Sequence, residues 1–315
     1  MRQATRTRRL ARWAVLSVLM VGGVVFYLWP TPRLPFEQLY ADVPPPAAES
    51  LRRFRAQHPL QVLRVGRFEW RYLAVGRGDK TVLLLHGMTG APDIWWQQIE
   101  ALAGEYRFIA VTYPPVDTLE AMDTGVQAIL QRENVREYAV VGSSLGGYFA
   151  QYLVQKHPTQ VRAAVFANTF PPNDEIAREN RALAMLMPLM PEWVVMAFVR
   201  KNVEQVVAPT SGHDPLTRAF LMEMTCGRMS KSQFLARYRC ILQKFPLEEA
   251  HCPVLIVESA NDPLVKPPLR ERLKSVYPHA QVYSFGDAGH FPYLSQPEVF
   301  TQVVRDFLRQ GFASR

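Results

Sequence analysis

Five consecutive residues, Gly142-Ser143-Ser144-Leu145-Gly146, have the spacing of a serine nucleophile. This G-x-S-x-G pattern directly follows an apolar, strand-like run and precedes a helix-like run, and that setting gives the pattern its meaning. A nucleophile on so tight a turn has strained backbone angles, and glycines on either side of it let the strand and the helix pass closely. The central residue of the pattern, Ser144, is therefore the predicted nucleophile.

A serine nucleophile needs a base that takes its proton and a carboxylate that orients the base. Of the seven histidines, His290 comes just after the last predicted strand, where a loop can carry it over the sheet. Asp262 follows the preceding predicted strand and is the expected acid, with Glu258 and Asp287 as competitors. Five other histidines fall at predicted helix ends or in polar loops, where solvated side chains are expected: His58, His157, His213, His251 and His279.

The negatively charged intermediate of an acyl transfer needs two N–H donors, which form an oxyanion hole. One donor is expected from the backbone of Leu145, which follows the nucleophile at a helix N-terminus, where the helix dipole also helps. The second is expected from the glycine-rich loop after the first apolar strand, at Met88, and His86 is expected to shape this loop. This set of residues requires no metal and no organic cofactor.

A sheet must position these residues, and from about residue 61 the chain alternates short apolar strands with amphipathic helices. Runs such as TVLLL and VLIV are apolar on both faces, as expected of strands that helices cover on both sides. The alternation predicts an α/β fold with a mostly parallel, doubly wound sheet and an antiparallel start. Strands are predicted at 61–66, 69–76, 81–85, 106–112, 137–141, 162–167, 253–258 and 281–285, and helices are predicted to begin near Asp93, Thr118, Leu145, Pro268 and Gln296.

Residues 171–248 interrupt this alternation. They contain no convincing strand and hold seven of the eleven methionines. We interpret them as a helical lid inserted between two parts of the core, which are assigned to residues 51–170 and 249–315. Methionine-rich surfaces adapt to irregular apolar ligands, although plain packing of lid helices on the sheet explains the same composition.

The N-terminal 50 residues have a different character. Residues 13–29 carry no charge and, as a helix, would extend roughly 25 Å, close to the ~30 Å hydrocarbon core of a bilayer. The preceding basic tail, residues 1–12, is expected to stay in the cytoplasm, and the proline-rich residues 30–50 predict an extended tether. We interpret the run as a single-pass, uncleaved signal-anchor that places the catalytic domain on the periplasmic or extracytoplasmic side; a cleaved signal peptide is the alternative.

Composition and charge indicate a folded globular protein and argue against a nucleic-acid surface and a zinc site. Hydrophobic residues make up 48% of the chain and charged residues 20%, which is typical of a folded globular protein. The net charge of +8 falls to about +3 without the five arginines of residues 1–12, so the charge does not indicate a nucleic-acid surface. The three isolated cysteines are Cys226, Cys240 and Cys252, and they do not have the spacing of a zinc site. The sequence does not decide whether two of them form a disulfide.

Four segments together resemble the α/β-hydrolase superfamily over residues 60–312: LLLHGMTG, VVGSSLGG, ESANDPLVKP and GDAGHFPYLSQPEVF. The chain order Ser144, Asp262, His290 is also the order of that superfamily. Within it, the segments DIWWQQIEALAGEYRFIAVTYPP, GSSLGGYFAQ and FANTFPP resemble the maspardin branch, which implies a helical lid at about 171–248. Maspardin is regarded as a binding protein whose catalytic set is incomplete at the position matching His290. The histidine here favours retained catalysis.

The sequence thus predicts a membrane-anchored serine hydrolase of the esterase or lipase type, which acts through an acyl-enzyme on a small hydrophobic acyl substrate. Serine at the nucleophile position argues against the epoxide and haloalkane hydrolases, which use an aspartate there. The alternative is a catalytically silent, maspardin-like binding protein. The expected partners are the substrate and, through residues 13–29, a lipid bilayer; no nucleic acid is expected, and protein partners are not determined.

Overall fold

The computed structural model describes the backbone of residues 2–313 and the side chains of residues 13–312. The predicted basic tail, residues 1–12, lies outside the described side chains. Eight strands occur in the described chain: β1 (Gln61–Val65), β2 (Phe68–Val75), β3 (Lys80–Leu85), β4 (Tyr106–Thr112), β5 (Tyr138–Ser143), β6 (Val161–Ala167), β7 (Val254–Ser259) and β8 (Gln281–Phe285). Each coincides with a predicted strand to within two residues at either end.

The helices of the same residues, in chain order, are α1 (Arg2–Tyr27), α2 (Phe36–Leu39), α3 (Pro45–Gln57), α4 (Trp96–Leu102), α5 (Leu119–Arg132), α6 (Leu145–Lys156), α7 (Glu175–Glu179), α8 (Arg181–Leu186), α9 (Glu192–Asn202), α10 (Ala208–Thr210), α11 (Pro215–Glu223), α12 (Lys231–Leu242), α13 (Pro267–Val276), α14 (Pro292–Ser295) and α15 (Pro297–Ala313). Short 3₁₀ turns at Pro92–Trp95 and Met187–Leu189 and π turns at Val203–Val207 and Met224–Arg228 connect some of them.

The strands form a single sheet with the order β1-β2-β4-β3-β5-β6-β7-β8. β1 pairs with β2, and β2 with β4, in antiparallel register, and every other pairing is parallel. The predicted mostly parallel sheet with an antiparallel start is therefore confirmed.

Two apolar cores lie on opposite faces of this sheet. Along β3, Val82 and Leu84 belong to one core and Leu83 and Leu85 to the other, and all four are almost completely buried. Helices α4 and α15 contribute to the first core, and α5, α6 and α13 to the second. Neither face of such a central strand meets solvent, so polar residues do not alternate with apolar ones, and its sequence is continuously apolar.

Between β6 and β7, the chain forms helices α7 to α12 and no strand. Four of the seven methionines in this region are buried, two are partly buried against the first core, and one is exposed. Packing therefore accounts for most of the methionine content. We call residues 171–248 the lid.

The segment preceding the sheet differs from the predicted extended tether. Helices α2 and α3 lie within residues 30–57, and α3 begins at Pro45 and buries Leu51 and Phe54 in the first core. Proline is well tolerated in the first turn of a helix, because its missing N–H would have no partner there and its φ angle is already helical. A proline-rich run can therefore start a helix as readily as it can form a tether.

Helix α1 contains most of the apolar N-terminal run, and the apolar side chains of residues 13–29 are largely exposed. In the part of the chain that is described, no helix is both long and apolar enough to cross a membrane. The C-terminal end of α1 contacts the lid: Trp193 Nε1 donates a hydrogen bond to the Phe26 carbonyl at 2.9 Å, and the two rings meet edge to face at 5.2 Å.

A cluster of charged side chains joins α3, the loop after β3 and the lid. Arg55 Nε lies 2.6 Å from Asp93 Oδ2, and its Nη2 lies 2.8 Å from Glu223 Oε2. Arg228 contacts the same two carboxylates at 2.9 and 3.3 Å, and Tyr40 donates to Glu223. Burial opposes ionisation of Asp93, but the adjacent Arg228 and Arg55 outweigh it and hold its pKa below the usual value.

The cluster predicts that Asp93→Asn costs about 3 kcal/mol of unfolding free energy at pH 7, because two partly exposed guanidinium groups then lose the buried carboxylate between them and share only Glu223. The folded-state pKa of Asp93 is depressed, so its contribution is present above the ordinary value of 3.8 and is lost as pH falls through the lower folded value. Urea titrations should therefore show that the difference in unfolding free energy between Asp93→Asn and wild type becomes smaller as the pH falls through the folded-state pKa of Asp93.

Asp117→Asn is the matched control, since Asp117 pairs with Arg239 at the surface, where both side chains are more than half exposed. Its loss should stay below about 1 kcal/mol. Equal losses of unfolding free energy in Asp93→Asn and Asp117→Asn would contradict a stabilising role for the charged cluster around Asp93.

Candidate active site

The predicted nucleophile occupies a sharp turn between β5 and α6. Ser144 has φ 55° and ψ −119°, a conformation that a residue with a side chain rarely adopts. A Cβ on Gly142 would lie 2.2 Å from the Gly146 carbonyl oxygen, and one on Gly146 would lie 2.0 Å from the Leu85 carbonyl oxygen. The two glycines are therefore required by the close passage of strand and helix, as the sequence predicts.

Two hydrogen bonds from β6 and its following loop hold this turn. The Ser144 N–H donates to the Ala167 carbonyl at 2.9 Å, and Thr169 Oγ1 donates to the Ser144 carbonyl at 2.7 Å. These contacts help to keep the strained serine in one conformation. The residue stays partly exposed and lines a cavity beneath the lid.

The predicted base and acid are in direct contact. His290 Nδ1 lies 2.9 and 2.8 Å from the two carboxylate oxygens of Asp262, and both residues are buried. An ionised carboxylate only accepts hydrogen bonds, so Nδ1 carries a proton, and in the neutral ring the lone pair is then on Nε2. The His290 ring lines the same cavity as Ser144. Among the described side chains, no hydrogen bond joins a His290 ring nitrogen to Ser144 Oγ. Hydrogen bonds between catalytic groups often form only in the complex with substrate.

Further hydrogen bonds keep Asp262 ionised. Oδ2 accepts from Asn168 Nδ2 at 2.9 Å, and Oδ1 accepts from the N–H groups of Leu264 and Val265 at 2.8 and 3.0 Å. Burial by itself would raise the pKa of Asp262, but His290 and these donors more than compensate and hold the pKa below its usual range. The carboxylate can therefore stabilise a positively charged imidazole throughout the neutral pH range.

Asn168 is a functional candidate that the sequence analysis missed. Its Nδ2 contacts Asp262 and also the Gly289 carbonyl, next to His290, at 3.2 Å. Its backbone has φ 44°, which asparagine tolerates better than most residues. The available signal was its position directly after β6, since the carboxyl ends of neighbouring parallel strands meet at one edge of the sheet.

The structure separates the competing acids from the site. Glu258 accepts hydrogen bonds from Lys274 and Ser284, and Asp287 is exposed and accepts a hydrogen bond from Gln296 at 3.4 Å. Of the three carboxylates considered, Asp262 alone contacts His290 among the described side chains. The five histidines expected to be solvated do not line the cavity: His58, His157, His213, His251 and His279.

The two predicted oxyanion donors flank Ser144. Leu145 is the first residue of α6, and Met88 lies in the loop after β3 and lines the cavity. Within the described residues, neither backbone N–H has a hydrogen-bond partner. A Cβ on Gly87 would lie 3.1 Å from the Ser144 Cβ, so this loop runs directly against Ser144. Both amides are thus available to an oxygen bound beside Ser144.

His86 holds the preceding peptide group of this loop. The residue is completely buried, and its Nδ1 lies 2.7 Å from the Gly87 carbonyl oxygen. Burial and, next, the nearby positive charge of Arg237 lower the pKa of His86 well below its ordinary value of 6.5. The ring is therefore neutral at physiological pH and donates one hydrogen bond to Gly87, consistent with the expectation that it shapes the loop.

The cavity has a volume of about 210 Å³ and is predominantly apolar. Ser144, His290 and the Gly87–Thr89 loop form its floor, and the lid supplies most of its walls. The principal lid residues are Leu183, Met187, Phe198, Val203, Val207 and Leu221. Such a cavity is suited to an apolar group attached to a polar reacting centre.

Comparison with known proteins relates this chain to hydrolases. The family model described as the alpha/beta hydrolase fold matches residues 80–297. The pimeloyl-[acyl-carrier protein] methyl ester esterase of Yersinia enterocolitica is 26% identical over 250 residues, 75% of this chain and 96% of that protein. Maspardin of Mus musculus is 26% identical over 240 residues, 73% of this chain and 75% of that protein. The resemblance to maspardin drawn from the sequence is confirmed.

Among solved structures, a membrane phospholipase A, described as a bacterial virulence factor, has a TM-score of 0.66. The likeness covers 96% of this chain and 99% of that chain at 21% identity. An esterase of Thermogutta terrifontis has the same TM-score at 20% identity and covers 81% of this chain and 99% of that chain. At these identities, the two likenesses establish the fold alone.

The close approach at the turn predicts that Gly146→Ala costs about 3 kcal/mol or more, because the added methyl group meets the backbone of β3, which cannot move aside without disturbing the sheet. Gly104→Ala is the control, since nothing lies within 4 Å of a Cβ there. Chemical denaturation of both variants measures the difference. A Gly146→Ala variant as stable as Gly104→Ala would show that the turn accommodates a side chain.

Proposed function

Since the chain belongs to the α/β hydrolase fold family, we propose that this hydrolase uses Ser144 as its nucleophile and cleaves carboxylic esters or related acyl compounds. The observation that carries the proposal is the contact between His290 Nδ1 and Asp262 beside a cavity that Ser144 also lines. The likeness to a methyl ester esterase supports the choice of ester chemistry.

In the proposed reaction, Ser144 Oγ attacks the acyl carbonyl carbon while His290 Nε2 takes the hydroxyl proton. The carbonyl oxygen becomes negatively charged and accepts hydrogen bonds from the N–H groups of Met88 and Leu145. Asp262 holds the Nδ1 proton and stabilises the imidazolium. When the carbon–oxygen bond to the leaving group breaks, His290 gives its proton to the departing alcohol, and an acyl-enzyme remains on Ser144.

Water completes the cycle by the same steps. His290 Nε2 takes a proton from the water as its oxygen attacks the acyl carbon, and the oxyanion again binds between Met88 and Leu145. Collapse of this second intermediate releases the carboxylic acid and returns the proton to Ser144 Oγ. No group beyond these side chains and backbone amides is needed for the balance of protons.

The cavity supports a small hydrophobic acyl group as the substrate. Its volume of about 210 Å³ lies below the ~300–1,000 Å³ of sites that hold drug-sized ligands. The side chains contributed by the lid are mainly aliphatic or aromatic, with Asn180 and Asn202 as polar exceptions. A short or medium acyl chain would bury its apolar surface there and leave the alcohol portion toward the opening.

We also propose that residues 13–29 attach the enzyme to a bilayer, with residues 1–12 in the cytoplasm and the catalytic domain on the opposite side. The proposal rests on the uncharged run, on the arginines before it and on the prolines after it. Given such an attachment, the contact between Trp193 and Phe26 would keep the lid close to the membrane surface.

A binding protein without turnover is the second candidate. It is favoured by the likeness to maspardin, which covers about three quarters of this chain. The two candidates differ in one chemical property, the presence of an activated serine, and this property can be measured without knowledge of the natural substrate.

We expect the full-length protein to react with a fluorophosphonate probe and to hydrolyse p-nitrophenyl esters. Ser144→Ala should abolish labelling and lower kcat at least about 10⁴-fold, since the nucleophile is then absent. Ser143→Ala is the matched control and should keep both activities, because the neighbouring hydroxyl is completely buried. A folded wild-type protein that neither labels nor turns over would favour the binding protein.

Asp262→Asn should lower kcat about 10⁴-fold, because an amide that donates a hydrogen bond to Nδ1 stabilises the wrong tautomer of His290. Asp287→Asn, at an exposed carboxylate three residues before His290, should leave kcat unchanged. Steady-state kinetics on the same ester measures both. Similar kcat values for the two variants would exclude Asp262 as the acid of the triad.

A further inference from the structure

Arg237 is the most unusual charged residue of the lid. It lies on α12 and is completely buried, yet no carboxylate in the described part of the chain pairs with it. Burial lowers the pKa of its guanidinium to about 10, still well above neutrality, so the group is charged. A buried cation without a counter-ion is costly, and an apolar residue could fill the same space at lower cost.

The donors of Arg237 converge on the loop that carries the expected oxyanion donor. Nη1 lies 2.6 Å from the Met88 carbonyl oxygen and 3.3 Å from that of Gly90, with Met229 Sδ also at 3.3 Å. Nη2 lies 3.5 Å from the Tyr113 carbonyl oxygen, and Nε has no partner. Backbone carbonyl groups therefore take the place of the missing carboxylate.

Hydrogen bonds from different residues hold the two peptide groups on either side of Met88. The preceding carbonyl, of Gly87, accepts hydrogen bonds from His86 Nδ1 and from the Gly90 N–H. Because C=O and N–H point in opposite directions across a trans peptide, holding this oxygen sets the direction of the Met88 N–H. The following carbonyl, of Met88 itself, is held by Arg237. Without the guanidinium, the second peptide group loses its restraint.

We propose that Arg237 is a positioning residue of the oxyanion hole: it holds the Met88 and Gly90 carbonyls and so keeps Met88 in place, while the Gly87 carbonyl sets the direction of the Met88 N–H toward the reacting oxygen. The inference rests on the proposed serine-hydrolase function. Phe234 and Tyr238, on the same helix, line the acyl cavity. One lid helix thus forms a wall of the substrate site and holds the loop that stabilises the transition state.

The test compares three full-length variants on a p-nitrophenyl ester: Arg237→Met, Arg237→Lys and the control Arg239→Met. Arg239 lies on the same helix, but its side chain is exposed. Displacing a catalytic group by about 1 Å can cost about 10²-fold in rate, so Arg237→Met should lose about 10²-fold in kcat while KM stays within about twofold. Arg237→Lys keeps the charge but is shorter and loses the second nitrogen, which contacts the Tyr113 carbonyl, so kcat should fall at least about tenfold. Arg239→Met should match wild type.

Chemical rescue separates positioning from simple stabilisation. In Arg237→Ala, millimolar guanidinium chloride should restore part of kcat, and sodium chloride at equal concentration should not. Unfolding midpoints measured in parallel show that the compared samples are folded. If Arg237→Met does not fold, Arg237→Lys decides: a kcat loss at unchanged KM supports the proposal, and wild-type kcat overturns it.

Two negative results remain distinguishable. If the wild-type protein shows no turnover, or turnover that does not require Ser144, the proposed serine-hydrolase function is wrong, and this inference fails with it. Turnover that depends on Ser144 and survives in Arg237→Met with kcat within about twofold of wild type overturns the role of Arg237 alone.

Discussion

The site depends on one close backbone contact, the approach of α6 to the end of β3. Gly146 lies so near the Leu85 carbonyl that no Cβ fits between them, and Gly142 meets the first turn of the same helix. The chain must therefore reverse from β5 into α6 through a single strained residue, Ser144. This conformation places the Ser144 side chain at the edge of the sheet, next to the N-terminus of α6. The first N–H groups of a helix favour negative charge at such a position.

The parallel part of the sheet then brings the remaining groups to this point. The strand order β3-β5-β6-β7-β8 places five carboxyl ends side by side at one edge. The loops that follow these strands contain Met88, Ser144, Asn168, Asp262 and His290, in that order. Residues far apart in the chain, such as Met88 and His290, thus become neighbours because each follows a strand of one sheet. This is the general reason why open α/β sheets bind ligands at their carboxyl edge.

Charged side chains join the lid to the segment after β3 in two places. Arg55 and Arg228 share Asp93 and Glu223, and Arg237 contacts the loop that contains Met88. Buried ion pairs add little net stability compared with apolar packing, but breaking one of them is costly. The lid is therefore favoured in one arrangement on the core, and that arrangement sets both the shape of the cavity beside Ser144 and the contact of Arg237 with the loop that contains Met88.

The sequence by itself determined the strands, the position of Ser144 and the candidates for acid and base, because each has a local signature: apolar runs of strand length, a G-x-S-x-G turn, a polar residue after a strand. Only the tertiary structure separated Asp262 from its competitors, revealed Asn168 and showed that proline-rich residues before the sheet start a buried helix. Arg237 shows the physical reason most clearly. It and Met88 lie 149 residues apart, and a contact between such distant residues, made by a buried charge with backbone carbonyls, leaves no periodic pattern in the sequence.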